Sequence, residues 1–261
     1  MSVSFRKFQS YINDFELIKT LTINTLKIKY KRSKLGLSWS MLNPIFNITV
    51  IALVFSRIMN MQYSEFAIFF FSGFLAWSLF ANSLIASSNC LINNEMLIKK
   101  VPINLMIFPL VTVSVNVIEF MLALIVLTTL LLLVGLKFSI AILFLPISFL
   151  LLFFFTVGLA FIFSITTAFF RDCGHIFVVI IQLWFYLTPV LYPKSFLTGK
   201  RELLQSINPM VTYIDLFRTP IFYGQLPQTQ EIEMAIILSA LMFSLGLLIF
   251  NKYKSQVIFN L

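Results

Sequence analysis

The chain has 261 residues, 59% of them hydrophobic and 11% charged, with 31 Phe, a mean hydropathy of +0.96 and a formal net charge of +9. A water-soluble domain of this length could not carry that much apolar surface without aggregating, and the pieces between the apolar stretches are too short for a soluble catalytic domain. The basic excess flanks the apolar stretches and forms no recognisable binding fold, so it reads as a topology signal and nucleic acid is not expected as a partner.

Residues 1–38 are polar or amphipathic and do not read as a cleavable signal peptide. Within them, Phe15 to Tyr30 puts Leu17, Ile18, Leu21 and Ile28 on one stripe, with Lys19, Lys27 and Lys29 largely off it. That spacing predicts an amphipathic helix lying in a membrane interface, either as an anchor attracted to anionic lipid or in a gating or partner-contact role.

About 20 residues at a 1.5 Å rise cross the hydrocarbon layer. Candidate spans run Ser40 to Ile58, Phe66 to Ile85, Leu105 to Val134, Ile140 to Phe170, Ile176 to Tyr192 and Ile232 to Phe250, the third and fourth long enough to tilt or bend. The runs are continuous and do not alternate with period two, which favours helices over a lipid-facing barrel. The expected fold is an all-α integral membrane protein with six transmembrane helices. Residues 1–38 form the N-terminal segment and 39–261 the six-span domain, with a linker at 91–104 and a hairpin at 193–231.

Basic residues near span ends mark the cytoplasmic side. An inside N-terminus puts Arg6, Lys7, Lys19, Lys27, Lys29, Lys31, Arg32, Lys34, Lys99, Lys100, Arg171, Lys252 and Lys254 inside. Only Arg57, Lys137, Lys194, Lys200, Arg201 and Arg218 then lie outside. Both termini are therefore expected in the cytoplasm.

Several positions carry chemistry within this frame. Asn43-Pro44 opens the first span, where proline serves helix initiation or kinks the helix to shape a passage. Asn93 to Asn104 holds Glu95, Lys99 and Lys100 around Met96, Leu97 and Ile98, a short amphipathic piece ended by Pro102. Glu119 is the one carboxylate near the middle of a span, where a charge costs about 3 kcal/mol before pairing. It is read as a packing group, hydrogen-bonded to a neighbour such as Asn116, as a conduit residue, or as a proton-coupling site. His175 beside Arg171-Asp172 has no acid or thiol cluster around it, and Cys90 and Cys173 lack metal-ligand spacing. Residues 193–231 carry the apolar patches Leu203 to Ile207 and Val211 to Tyr223, which suggests two short helices dipping back into the outer interface. No G-x-x-x-x-G-K-[ST] phosphate loop is present, so ATP hydrolysis by this chain alone is not expected.

Four ordered stretches carry a resemblance. Lys29-Tyr30-Lys31-Arg32-Ser33-Lys34-Leu35-Gly36-Leu37-Ser38-Trp39-Ser40-Met41-Leu42-Asn43-Pro44 resembles the basic opening of permease subunits of ABC-type polysaccharide and polyol-phosphate exporters. Leu97-Ile98-Lys99-Lys100-Val101-Pro102 with Pro109 resembles the family's cytoplasmic linker, although Ile103-Asn104 departs from it. Arg171-Asp172 resembles the pair after the fourth span. Leu187-Thr188-Pro189-Val190-Leu191-Tyr192-Pro193, then Asn208-Pro209-Met210 and Phe217-Arg218, resembles the segment before the last span.

The resemblance implies a homodimer paired with two copies of a separate ABC ATPase in the bacterial inner membrane, moving a lipid-linked polysaccharide outward. ATP and Mg would sit on the partner, with no cofactor on this chain. Glu95, Lys99, Lys100 and Pro102 would couple to the ATPase, and Lys31, Arg32, Gly36, Trp39, Asn43 and Pro44 would form a gate or interface. Pro189, Tyr192, Pro193, Asn208, Pro209 and Arg218 would shape the outer hairpin. Because aromatic faces cover the C–H surfaces of sugar rings, Phe46, Phe69, Trp77, Trp184, Phe185 and Tyr186 are candidates for the sugar path. The alternative class is a membrane enzyme or flippase acting on a lipid-linked sugar without an ATPase.

Overall fold

The computed structural model describes residues 3–31, 33–135, 139–194 and 207–260, with side chains from residue 14 to residue 258. Arg32, Lys137, Lys200, Arg201, Glu202 and most of the apolar patch beginning at Leu203 lie outside the described residues. Among the described residues there are helices and turns and no strand.

Helix α1 spans Val3–Tyr30, longer than the amphipathic stretch alone predicts, because no Gly or Pro interrupts the residues before Phe15. It stops ahead of Gly36, whose φ of +52° suits a residue without a side chain and opens the 3-10 turn Gly36–Ser38. α2 follows over Trp39–Ile58. Pro44 lies inside it, beyond the first turn, so the helix-initiation reading fails: the proline leaves the Ser40 carbonyl without its usual intrahelical donor.

α3, Tyr63–Ser88, is the central element, with 78% of its apolar window buried against 17% for the α2 span. Two short helices, α4 (Cys90–Asn93) and α5 (Glu95–Lys100), lead to α6 (Ile107–Val134), which Gly135 ends at φ +75°. A 3-10 turn at Ile140–Phe144 precedes α7 (Leu145–Phe169), with Pro146 near its start, where the missing N–H costs nothing. α8 covers Cys173–Leu187. α9, Pro209–Arg218, is capped by the Asn208 side chain, which accepts from the Met210 N–H at 3.0 Å. A π turn at Thr219–Tyr223 then leads to α10 (Thr229–Asn260).

Among the described residues, five helical stretches are long and apolar enough to cross a membrane: Gly36–Ile58, Tyr63–Ser88, Ile107–Val134, Ile140–Phe169 and Thr229–Ile258. The expected span Ile176 to Tyr192 is shorter as a helix. Thr188-Pro189 ends α8 after 15 residues, about 22 Å at 1.5 Å per residue, because the residue before a proline disfavours the helical region.

Side-chain pairs give the directions. Ser87 meets Thr112, so α6 returns along α3, while Phe154–Phe243 and Phe161–Phe250 make α7 and α10 parallel neighbours. These two approach through Gly158 and Gly246, where an added Cβ would run into the opposing backbone, the Met242 and Gly158 carbonyls respectively. The short helices α5, the Arg171 turn and the Lys252–Lys254 end of α10 gather at one end, called here the basic end. Lys194, Ser139, Gly224 and Glu231 gather at the far end.

Candidate functional site

At the basic end, α5 holds its shape with an i, i+4 pair: Lys99 Nζ lies 2.6 Å from Glu95 Oε1. That hydrogen bond, helped by the Lys99 and Arg171 charges, keeps the Glu95 carboxyl below its usual range. Ile98 is buried and anchors the helix, leaving Met96, Lys99, Lys100, Val101 and Pro102 exposed. An exposed methionine between charges on a short rigid helix can seat in a partner's cleft.

The second cluster joins α1 to the bundle. Asn104 donates to Asp14 at 3.3 Å, and Lys29 donates to Glu119 at 2.5 Å, so α1 runs parallel to α6. Tyr30 donates to Glu119 at 2.9 Å, and its hydroxyl is 2.5 Å from that of Ser40, at the start of α2. Glu119 thus stands level with the entrance of α2. Its partners are Lys29 and Tyr30, and Asn116 instead donates to the Thr112 carbonyl at 2.8 Å. Glu119 is hydrogen-bonded by partners from a segment that sequence spacing could not bring to it. Behind this junction lies a cavity of about 300 Å³ between α1, α2, α3 and α6. Trp39, Asn43 and Pro44 line it, while Lys31 stays exposed outside it and Gly36 forms the turn.

The aromatic candidates separate by burial. Phe69 and Trp77 are core residues: Phe69 packs on Phe222 and beneath Arg218, and Trp77 contacts Phe80, Trp184 and Phe185. Phe46 and Tyr186 are exposed on α2 and α8. Trp184 is half-buried, and its indole N–H donates to Asn208 Oδ1 at 2.9 Å.

Asn208 joins the two far-end motifs. Its Nδ2 donates to the Thr188 hydroxyl at 2.9 Å while its Oδ1 caps α9. Pro209 takes the first position of α9, and Tyr192 donates to the Tyr186 carbonyl at 3.1 Å, just before half-buried Pro193. Arg218, only 2% exposed, donates to the Pro189 and Val190 carbonyls at 2.8 and 2.9 Å, with its guanidinium 4.0 Å from the Phe69 ring centre. A planar, forked donor serves two adjacent carbonyls and an aromatic face at once, which an ammonium could not do. One turn back, Asp215 is ion-paired with Lys194; burial lifts its carboxyl to about 6 against the pull of Lys194. Sequence reading missed Asp215 as a buried group, along with Tyr30, Asn82 and the Gly158–Gly246 crossing.

Residues 16–222 match the model of the ABC-2 type transporter membrane family. The chain belongs to that family. It is also similar over nearly its whole length to curated permeases. An O-antigen export system permease protein RfbA of Klebsiella pneumoniae is 30% identical over 255 residues, 97% of each chain. That of Myxococcus xanthus is 28% identical over 246 residues, 92% of this chain and 93% of the relative. For an ABC-2 membrane protein, the two assemblies at opposite ends of the bundle have different characters: an exposed helix at one, a buried lock at the other.

Proposed function

We propose that this chain is the membrane-spanning subunit of an ATP-driven exporter that moves a lipid-linked polysaccharide across the bacterial inner membrane. It works as a homodimer with two copies of a separate ABC ATPase, which bind ATP and Mg. The observation that carries this reading is similarity to O-antigen export permeases over nearly the full chain, within a family of ABC transporter membrane proteins.

Six crossings are part of the proposal. α8 starts near Asn89, beside Gly174, and the chain after it reaches the far-end cluster of Lys194, Asp215 and Glu231, which supports α8 plus its extension as a traverse. α9 packs against α3, α7 and α10, with Tyr213 beside Phe155 and Leu216, nearer the far end, beside Ser148, which favours it as the outgoing arm of a re-entrant hairpin. Lys99, Lys100, Arg171, Lys252 and Lys254 favour the cytoplasm for the basic end and for both termini. Residues 1–38 act as the cytoplasmic amphipathic and basic segment, 39–261 as the permease domain, 91–104 as the coupling linker and 193–231 as the outer hairpin. The enzyme reading would need free acids at one face, whereas Asp215 and Glu231 are both engaged by Lys194.

The test combines a cell and a tube. Cells lacking the chain are expected to lose surface polysaccharide and accumulate it, lipid-linked, inside. The purified chain is expected to hydrolyse no ATP until the ATPase is added. Unchanged surface polysaccharide, or hydrolysis by the chain alone after contaminant controls, overturns the reading.

A further inference from the structure

The cavity behind Glu119 has walls that a lipid-facing surface would not have. α2, α3 and α6 are all membrane-crossing candidates, and each contributes one stripe to it. The stripe on α2 is Asn43 and Asn47; on α3 it is Phe74, Ser78 and Asn82; on α6 it is Asn116, Glu119 and Ala123. Four amides therefore converge within apolar helices, and three of them, Asn43, Asn47 and Asn82, are exposed. An amide turned toward hydrocarbon costs several kcal/mol, so this face meets water or a polar ligand.

The chemistry of the walls narrows the ligand. Asn47 is held by the Asn43 carbonyl and side chain, at 2.9 and 3.1 Å, which fixes the orientation of that part of the wall. Asn82 has no protein hydrogen-bond partner among the described residues. Amides both donate and accept, as a hydroxyl requires, and Phe71, Phe74 and Trp39 add aromatic faces. Among the described residues Lys29 is the one cation in the lining, and it is paired with Glu119, which favours a neutral ligand over a phosphate. A metal ion would find a single carboxylate. A volume of about 300 Å³ is at the lower end for small-molecule sites, roughly 300–1,000 Å³.

We infer that this furrow between α2, α3 and α6 is a binding site for neutral sugar units of the cargo. Hydroxyls meet the amides of Asn43, Asn47 and Asn82, and a C–H face lies against Phe74. The inference rests on the export reading above and adds to it a site on the α6 side of α3, away from the aromatic cluster of α8.

The double variant Asn47→Leu/Asn82→Leu tests it, since leucine nearly matches asparagine in size and is favoured wherever a side chain faces lipid. Expected is a fall in polysaccharide export of about tenfold or more with protein level and ATPase assembly unchanged, the scale of losing one or two hydrogen bonds to a polar ligand. Asn82→Gln, which keeps the amide, should retain most export. A photoreactive residue at position 47 should capture glycan. Normal export by the double variant, or capture of lipid alone, overturns the site. Loss of export on deleting the chain, with full export by the double variant, leaves the export reading standing and removes only this site; export that persists without the chain removes both.

Discussion

Single residues show where sequence pattern runs out. Arg218 is legible as part of a Phe-Arg motif, but its burial is not: a lone arginine outside a span reads as a solvated charge until two carbonyls from a turn 28 and 29 residues upstream are folded against it. Each hydrogen bond from a charged group contributes roughly 1.5–3 kcal/mol, so Arg218→Gln should release the hairpin from the bundle. Faster protease cleavage between residues 207 and 228 than in the native chain would report it. Asp215 gives the lock a pH dependence. Its folded pKa of about 6 lies above the ordinary carboxyl value of about 3.9, so between these values the folded chain binds the extra proton. Its contribution is therefore fully present below about 3.9 and is lost as pH rises through about 6. Lys194, Glu231 and Arg218 are the charges that face it. Amide exchange in α9, corrected for intrinsic rates, should show stronger protection at pH 4.5 than at pH 7.

Whole elements were easier to read. Hydropathy located α2, α3, α6, α7 and α10 because a membrane helix must be apolar for about 20 residues, whatever its neighbours are. α8 was overextended because Val190 to Tyr192 is apolar, and hydropathy does not register that Pro189 cannot continue a helix. α5 was recognised from its charges and Pro102, and its exposure frames a sharp test. Lys99→Glu/Lys100→Glu should abolish export while the chain still inserts and folds. The like charges created with Glu95 cost the helix only about 0.2–0.5 kcal/mol, too little to unfold a piece anchored by Ile98. Normal export and normal ATPase pull-down with the double variant would reject α5 as the coupling element.

At the scale of the molecule, the far end is knitted together by Arg218, Asn208 and Tyr213, whereas α1 at the other end is tied to α6 by a few half-exposed side chains. The parallel course of α1 and α6 has an electrostatic consequence. α2, α6 and α8 run one way and α3, α7 and α10 the other, so their axial dipoles cancel across the bundle. α1 and the short α9 stand outside these pairs, and the negative carboxyl-terminal pole of α1 is brought up to the carboxylate of Glu119. Lys29 in the last turn of α1 therefore balances two negative centres, the helix pole and the side chain. Removing Glu119's charge relieves one of them and leaves the Tyr30 hydrogen bond possible; removing Lys29's charge leaves both opposed to each other. Lys29→Gln should loosen α1 more than Glu119→Gln, read as faster labelling of a cysteine introduced at Thr22, which is buried in α1.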